Sequence, residues 1–226
     1  HPYAHGSVGV EGAIEHSCNC YFYEAGYRMG LDAEGLGLIG SDGTQGNATE
    51  AYYSSDRGIG VLTEYAEMFG LGAESGLEIP EAEPQISDQD SVRSAIGQGT
   101  NNYTVSQLAR YVTAVANRGT VYNLTLLDKV TDLNGDTIEE FKPEARQEIT
   151  KLDPSTWESI HNGMREVVRV ENSKTFTELN RSDVQLYGKT GSAQQSKAHA
   201  DHALFVGFSP SEDPDIAFAT RIANGY

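Results

Sequence analysis

Apolar residues recur at intervals of three and four along several parts of the chain, the spacing of an amphipathic helix. Residues 8–29 fit one or two helices with a break near Ser17, and a further helix is predicted over residues 58–69. Thr104 is a typical N-cap for a helix that ends at 117–119. Asp153-Pro154 opens a last helix that ends near residue 171, with proline in the first turn.

In the last third of the chain the apolar period changes to two. Residues 184–195, 202–208 and 215–222 alternate strongly and are separated by short polar turns, which predicts an antiparallel meander of three strands. A shorter alternation on both sides of Asn134-Gly135 predicts a hairpin with a two-residue turn of the primed type. Helices first and a meander last favour an α/β or α+β fold, with helices packed on an antiparallel sheet.

Two segments show no period and are predicted to be long loops. Residues 35–57 are rich in Gly, Ser, Thr and Asp, and residues 71–100 contain two prolines and end in a Gly97-Gln98-Gly99 turn that we expect to border a cleft. The chain is thus divided into a mainly helical part (1–119), a small hairpin part (120–150) and a helix with antiparallel strands (151–226).

Charge and cysteine content exclude several classes of partner. The 226 residues contain 16 Lys+Arg and 33 Asp+Glu, so the formal net charge is −17. Such a charge repels phosphate backbones and anionic lipids, so we expect no nucleic acid and no direct membrane contact. The two cysteines, Cys18 and Cys20, lie two positions apart on a predicted helix, where their side chains diverge and do not easily form a disulfide.

Candidate metal sites are weak, and we expect neither a metal nor another cofactor. His199 and His202 form a pair without a third ligand at a useful spacing. Asp132, Asn134 and Asp136 resemble part of a calcium loop, but Gly135 stands at the wrong position for one, and a hairpin explains the segment better.

The candidate catalytic and binding residues are concentrated in two short stretches. Lys189-Thr190-Gly191-Ser192 places a cation, two hydroxyls and a glycine side by side on a predicted strand. Ser17-Cys18-Asn19 lies about 170 positions upstream, at the predicted break between helices. Taken alone, Ser17 and Asn19 are more typical of a helix cap or turn. The Lys-Thr-Gly partner favours a catalytic interpretation, because serine penicillin-recognising enzymes combine both elements with a Ser-x-x-Lys nucleophile.

Together with residues 95–100 and 202–210, these motifs resemble a class B penicillin-binding protein of the elongation type, in order and over nearly the whole chain. The resemblance implies the penicillin-binding transpeptidase (serine β-lactamase-like) fold, with a helical subdomain and truncated at its N-terminal side. It implies a D,D-transpeptidase domain that cross-links peptidoglycan stem peptides ending in D-Ala-D-Ala and binds β-lactams. The parent is then expected on the extracytoplasmic face of a bacterial membrane, anchored through a segment outside this chain, with wall-elongation proteins as partners.

The resemblance also implies a role for each matching residue. Ser17 relays a proton between a lysine base and the departing nitrogen, and Asn19 holds the amide on the acyl side of the substrate. Lys189 keeps the site electropositive and polarises Ser17.

The remaining matching positions bind substrate. Thr190 and Ser192 donate hydrogen bonds to the terminal carboxylate. Gly191 lets the substrate backbone lie along the strand edge, and the backbone N–H of Ser192 is one of two oxyanion donors.

The chain departs from the family pattern in one respect. The Ser-x-x-Lys element requires a serine three residues before a lysine, and no lysine of this sequence has one. In the family this element precedes Ser-x-Asn, so we expect it upstream, outside these residues, and we predict that the chain is inactive alone. Two alternatives stay open: a non-catalytic sensing or interaction module with penicillin-binding architecture, and a related β-lactamase.

Overall fold

A computed structural model describes residues 5–31, 53–169, 184–194, 199–210 and 212–225. Within these ranges the chain forms six helices: α1 Val10–Glu15, α2 Asn19–Met29, α3 Ser55–Met68, α4 Ser91–Ser94, α5 Val105–Ala116 and α6 Pro154–Arg169. The same ranges contain seven strands: β1 Thr120–Asn123, β2 Lys129–Thr131, β3 Thr137–Glu140, β4 Glu144–Glu148, β5 Tyr187–Ala193, β6 His202–Ser209 and β7 Ile216–Ile222. No helix in the described ranges is both long and apolar enough to span a membrane.

The last three strands form the predicted antiparallel meander in the order β5-β6-β7. Lys189 pairs with Val206, and Val206 pairs in turn with Ala219, without a break in register. Among the described strands β5 pairs only with β6, so it lies at an edge of this sheet. Helices α5 and α6 pack on the sheet, which confirms the predicted layering of helices on an antiparallel sheet.

The helices lie close to their predicted positions. The break near Ser17 is confirmed, because α1 ends at Glu15 and α2 begins at Asn19. Thr104 caps α5 through a capping box, in which its hydroxyl accepts a bond from the Gln107 N–H while the Gln107 side chain accepts one from the Thr104 N–H. The predicted end of α6 near residue 171 lies outside the described residues, as does most of the loop predicted over 35–57.

Two loop predictions were partly wrong. Helix α3 starts at Ser55, three residues before the predicted position, because the hydroxyl of Ser54 accepts a bond from the Arg57 N–H and caps the helix. The predicted loop over 71–100 contains the short helix α4, which begins after Asp90, whose carboxylate accepts a bond from the Arg93 N–H. Side-chain caps of this kind set a helix start even where the apolar period is too short to indicate one.

The hairpin β2–β3 is present, but its turn is not the predicted two-residue turn. The connection runs over residues 132–136, and only Gly135 adopts a positive φ, of +93°, whereas a type I′ turn needs two such residues. The Asp132 carboxylate accepts bonds from the N–H groups of Asn134 and Asp136, both at 2.9 Å, and these bonds stabilise the longer loop. A second antiparallel pair, β1 with β4, was not predicted.

Helix α5 is at the centre of the apolar core. Its residues Val112, Val115 and Ala116 pack with Met164 of α6 and Phe208 of β6. On another side of the helix, a second cluster joins Ala114 to the β1–β4 pair and α6, with Val121, Ile149 and Trp157 as its other members. Burial of each large apolar side chain of this kind contributes roughly 1.5–3 kcal/mol.

Two charged side chains organise the segment that precedes α5. The fully buried guanidinium of Arg110 donates to the backbone carbonyls of Gly70, Ala73 and Glu74. The Glu81 carboxylate accepts bonds from three hydroxyls and one N–H, which belong to Ser75, Thr104 and Ser106. Burial alone would raise the pKa of Glu81, but the hydroxyl bonds outweigh it and lower this pKa to about 2.

We predict that Glu81→Gln lowers the free energy of unfolding by about 1–2 kcal/mol at pH 7, because a neutral amide is a weaker acceptor for this set of donors. The depressed pKa means that the wild-type advantage is complete above about pH 4.5, the usual glutamate value, and is lost as pH falls toward 2. Urea unfolding at pH 7 and pH 3 measures both effects. Glu83→Gln, at an exposed position, is the control, and an equal loss in both variants at pH 7 would contradict the prediction.

Candidate active site

Helix α6 fixes the beginning of β5. Its Arg165 donates to the carbonyl of Leu186 at 2.9 Å, and the guanidinium lies 5.8 Å from the centre of the Tyr187 ring. The Tyr187 ring stacks on Phe208 of the neighbouring strand, with centroids 5.0 Å apart. Leu186 and Tyr187, which precede Gly188-Lys189, are therefore held both by helix α6 and by the neighbouring strand β6.

Gly188 allows two strands to pack beneath the candidate site. It pairs with Gly207 of β6, and a Cβ atom at position 188 would overlap the ring of Phe205. The Phe205 ring in turn contacts that of Phe218, at a centroid distance of 5.7 Å. A side chain at position 188 would thus displace either the aromatic pair or the strand that presents Lys189.

We predict that Gly188→Ala lowers the free energy of unfolding by about 1–3 kcal/mol, the usual cost of forcing an extra methyl group into a packed site. Gly60→Ala is the matched control, because this glycine lies within α3 and the position of an alanine methyl group there is open. Apart from its chain neighbours and the backbone of its own helix, no described atom stands within 4 Å of that position, so alanine should stabilise the helix by up to about 1 kcal/mol. Thermal or urea unfolding of both variants measures the contrast. A Gly188→Ala variant at least as stable as the wild type would show that Phe205 moves aside without cost.

Ser17 lies in the sharp link between α1 and α2. Its φ of +48° is left-handed, a conformation that is unfavourable for serine, and its N–H donates to the carbonyl of Ile14 at 3.2 Å. Helix α1 packs closely on α6, where a Cβ atom at Gly163 would be only 2.8 Å from that of Ile14. Helix α6 therefore positions both the strand that bears Lys189 and the link that bears Ser17.

The structure brings Lys189 and Ser17 into direct contact across 172 positions of sequence. The Lys189 ammonium donates a hydrogen bond to the Ser17 hydroxyl and a second one, at 3.1 Å, to the carbonyl of Thr190. The lysine side chain is half-buried, and the loss of solvent lowers the pKa of Lys189 below its usual value. The pair consists of a polarised hydroxyl and a cation whose proton is easier to remove than that of an exposed lysine.

The other predicted site residues lie on the same two segments of the chain as this pair. Asn19 is the first residue of α2 and is exposed, and the N-cap of that helix is Cys18, so neither Ser17 nor Asn19 caps α2. Cys18 is buried and Cys20 is exposed, and both are free thiols.

On β5, Thr190 is half-buried and Ser192 is exposed. Gly191 pairs with Leu204, whose Cβ atom would be 3.2 Å from one at position 191. Successive side chains of a strand point to opposite faces, so the Lys189 and Thr190 side chains leave β5 on different sides, and the edge of the strand borders both. The polar groups of this stretch are therefore available to a ligand that approaches the open edge of β5.

A cavity of about 930 Å³ lies between the helical part and the end of the sheet, and it reaches β5 at Ala193 and the adjacent Gln194. Most of its walls are apolar or aromatic, and they include Leu62, Tyr65, Phe69, Tyr103, Tyr111 and Leu204. Burial raises the pKa of Tyr103 to about 12, so this phenol is neutral at physiological pH. Gly97 also lines the cavity, which places the predicted Gly97-Gln98-Gly99 turn at its border.

His202, one member of the candidate metal pair, is hydrogen-bonded within the protein. The Nδ1 atom of His202 accepts a bond from the Asn224 N–H at 3.0 Å, and its Nε2 atom lies 2.7 Å from the guanidinium of Arg221. Among the described residues, no group of three or more His, Cys, Asp and Glu side chains is arranged to hold a metal ion.

The sequence motifs contain the candidate site residues but not the side chains that position them. Arg165 and His161 both lie on α6. Arg165 fixes β5, and His161 fixes α5 through a 2.8 Å bond between its Nε2 atom and the carbonyl of Val115. The apolar stripe of α6 was correctly predicted, yet it gives no indication that polar residues between its members are buried. His161 is only 2% exposed, and desolvation lowers its pKa.

Comparisons with known proteins identify the family of this chain. Residues 2–226 match the family model of the penicillin binding protein transpeptidase domain. Penicillin-binding protein 2B of Streptococcus pneumoniae is 26% identical over 245 residues, covering 98% of this chain and 34% of its own length. Peptidoglycan D,D-transpeptidase MrdA of Acinetobacter baumannii is 24% identical over 250 residues, covering 98% of this chain and 32% of its own length.

The structural comparison leads to the same fold. An imipenem acyl-enzyme complex of penicillin-binding protein A from M. tuberculosis superposes with a TM-score of 0.72 at 20% identity, over 97% of this chain and 43% of that one. The chain spans about a third of the length of the curated relatives described above. The match over residues 2–226 and the shared fold confirm the resemblance, and the chain belongs to the family of penicillin-binding protein transpeptidase domains.

Proposed function

We propose that these residues form part of a D,D-transpeptidase domain that cross-links peptidoglycan stem peptides and is acylated by β-lactams when complete. The hydrogen bond between the Lys189 ammonium and the Ser17 hydroxyl is the main support, because it joins the two motifs in the arrangement that proton relay requires. The neighbour from M. tuberculosis, an acyl-enzyme complex with imipenem, is consistent with this chemistry on the same fold.

The substrate is proposed to bind along the open edge of β5. A stem peptide ending in D-Ala-D-Ala would lie there as an added strand, with Gly191 giving its backbone room. The hydroxyls of Thr190 and Ser192 would donate to the terminal carboxylate, and the Ser192 N–H would be an oxyanion donor. Asn19, exposed at the start of α2, would hold the amide on the acyl side.

The attacking serine and its lysine base are proposed to come from outside the 226 residues, since no lysine here follows a serine at the required spacing. The apolar cavity that reaches the end of β5 offers a place for such a segment to pack. On this proposal the present residues shape and charge the pocket, and the nucleophile is supplied to it.

Location and partners are proposed on the family relationship. The complete protein would act on the extracytoplasmic face of a bacterial membrane, anchored by a segment outside this chain, and together with wall-elongation proteins.

Covalent labelling with a fluorescent penicillin tests the proposal. We expect no label on the 226 residues alone, and one label per molecule on a longer protein that includes an upstream Ser-x-x-Lys element. Replacing the serine of that element by alanine should abolish the label. Stoichiometric labelling of the 226 residues alone would disprove the prediction that they are inactive, and an unlabelled longer protein would favour a non-catalytic module. Rapid loss of the label with release of hydrolysed β-lactam would indicate a β-lactamase.

A further inference from the structure

The β2–β3 hairpin, defined here as residues 126–141, displays apolar side chains that the described part of the protein does not cover. Among the described helices and strands, β2 and β3 pack extensively only on each other. Five of the hairpin's large aliphatic side chains are exposed: Leu126, Leu127, Val130, Leu133 and Ile138. An isolated two-stranded hairpin is marginally stable in water, so this one requires support from elsewhere.

That support comes from hydrogen bonds at its base. The Glu78 carboxylate accepts bonds from the Thr125 hydroxyl and, at 2.9 Å, from the Leu126 N–H, which ties the hairpin to the helical part of the chain. The Phe141 N–H donates to the carbonyl of Asp128 at 2.8 Å and closes the two strands. The hairpin is therefore fixed where it leaves the body of the protein.

The tip is also ordered. The Asp132 carboxylate accepts bonds from the N–H groups of Asn134 and Asp136, and its side chain also binds the Asn134 amide. Leu133, enclosed by these bonds, is fully exposed. An ordered loop thus presents a leucine to solvent, an arrangement that reduces the entropy lost when a partner binds it.

The charge of the hairpin restricts what can cover these apolar residues. Asp128, Asp132, Asp136, Glu139 and Glu140 are opposed only by Lys129 between residues 128 and 140. A second copy of this chain, with a net charge of −17, would be repelled, and so would nucleic acid and anionic lipid. A protein surface that combines basic residues with an apolar pocket is complementary to both features of the hairpin.

We propose that the β2–β3 hairpin is a docking element for a protein partner with a basic surface, and that Leu133 inserts into an apolar pocket of that partner. The hairpin shares no residue with the Lys189–Ser17 site, so this inference is independent of the proposed catalytic function.

Site-specific photo-crosslinking identifies the partner. Benzoylphenylalanine replaces Leu133 in the full-length protein within the bacterium that produces it, and Ile216 is replaced in a control at a comparably exposed apolar position of β7. We expect an adduct from position 133 that is absent from position 216, with a crosslinked segment of net positive charge by mass spectrometry. Absence of an adduct specific to position 133, an adduct with a second copy, or a neutral or acidic segment would overturn the proposal.

Affinity measurements with the identified, purified partner then test the mechanism. We expect Leu133→Ser to weaken binding at least tenfold and Ile138→Ser several-fold, whereas Ile216→Ser changes it less than twofold. Ile138 and Ile216 are 69% and 63% exposed, so their substitutions are matched for folding effects. Raising NaCl from about 50 to 500 mM should weaken wild-type binding at least tenfold. An unchanged affinity of Leu133→Ser, or insensitivity to salt, would also overturn the proposal, and β-lactam labelling should be equal in all these variants.

Discussion

Lys189→Ala, introduced into a longer protein that contains the nucleophile, is expected to slow acylation by a fluorescent penicillin at least hundredfold. The Lys189 ammonium donates to the Ser17 hydroxyl, and alanine removes both that bond and the positive charge of the pocket. Loss of one preorganised donor in an active site typically costs a factor of about 10²–10³. The second-order rate constant of covalent labelling, measured with stopped-flow or gel fluorescence, gives the effect directly.

The pH dependence of that rate distinguishes a catalytic lysine from a structural one. Burial lowers the pKa of Lys189, so its ammonium loses a proton at a lower pH than an exposed lysine does. If the ammonium is the active form, the wild-type labelling rate should fall as pH rises, and the fall should begin below about pH 10.4, the pKa of an exposed lysine. The labelling rate of Lys189→Ala should show no such fall. An alkaline decrease of the labelling rate that persists in the alanine variant would report the titration of another group.

Two further variants complete this test. Lys151→Ala removes a surface lysine that pairs with Glu64, and it should leave the labelling rate unchanged. Ser17→Ala should slow labelling in the wild-type background but have much less effect in the Lys189→Ala background, because the two side chains act as one unit. Additive losses would show that Lys189 and Ser17 contribute separately.

The sequence predicted the elements that a strong apolar period or a distinctive cap determines. The three-stranded meander, the break at Ser17 and the N-cap at Thr104 are of this kind, because each depends on residues close together in the chain. The family motifs supplied the pairing of Ser17 with Lys189, which no local pattern could have indicated.

The remaining features depend on contacts between distant segments. The turn at residues 132–136 depends on where the Asp132 carboxylate finds its donors, and an Asn-Gly pair alone does not determine this. Glycine is required at position 188 because the ring of Phe205, on another strand, leaves no room for a Cβ atom. Gln107 and Arg110 are polar residues of a helix whose side chains would ordinarily face solvent, yet both are fully buried.

Arg110 illustrates how much of the fold depends on such a contact, and Arg110→Met is expected to lower the free energy of unfolding by about 3–5 kcal/mol. Methionine fills a similar volume but leaves the carbonyls of Gly70, Ala73 and Glu74 without the donors that bind them. Domains are stable by only about 5–15 kcal/mol, so this variant will be near its unfolding threshold.

Arg110→Lys keeps the prediction measurable if Arg110→Met does not fold. Lysine retains the charge but cannot reach three carbonyls in one geometry, so we expect an intermediate loss, which urea unfolding can quantify. Arg28→Ala removes an exposed arginine paired with Glu24 on the same helix, and it should cost no more than about 0.5 kcal/mol. If Arg110→Lys were as stable as the wild type, charge alone would account for the role of Arg110, and the three carbonyl bonds would not be what holds the segment before α5.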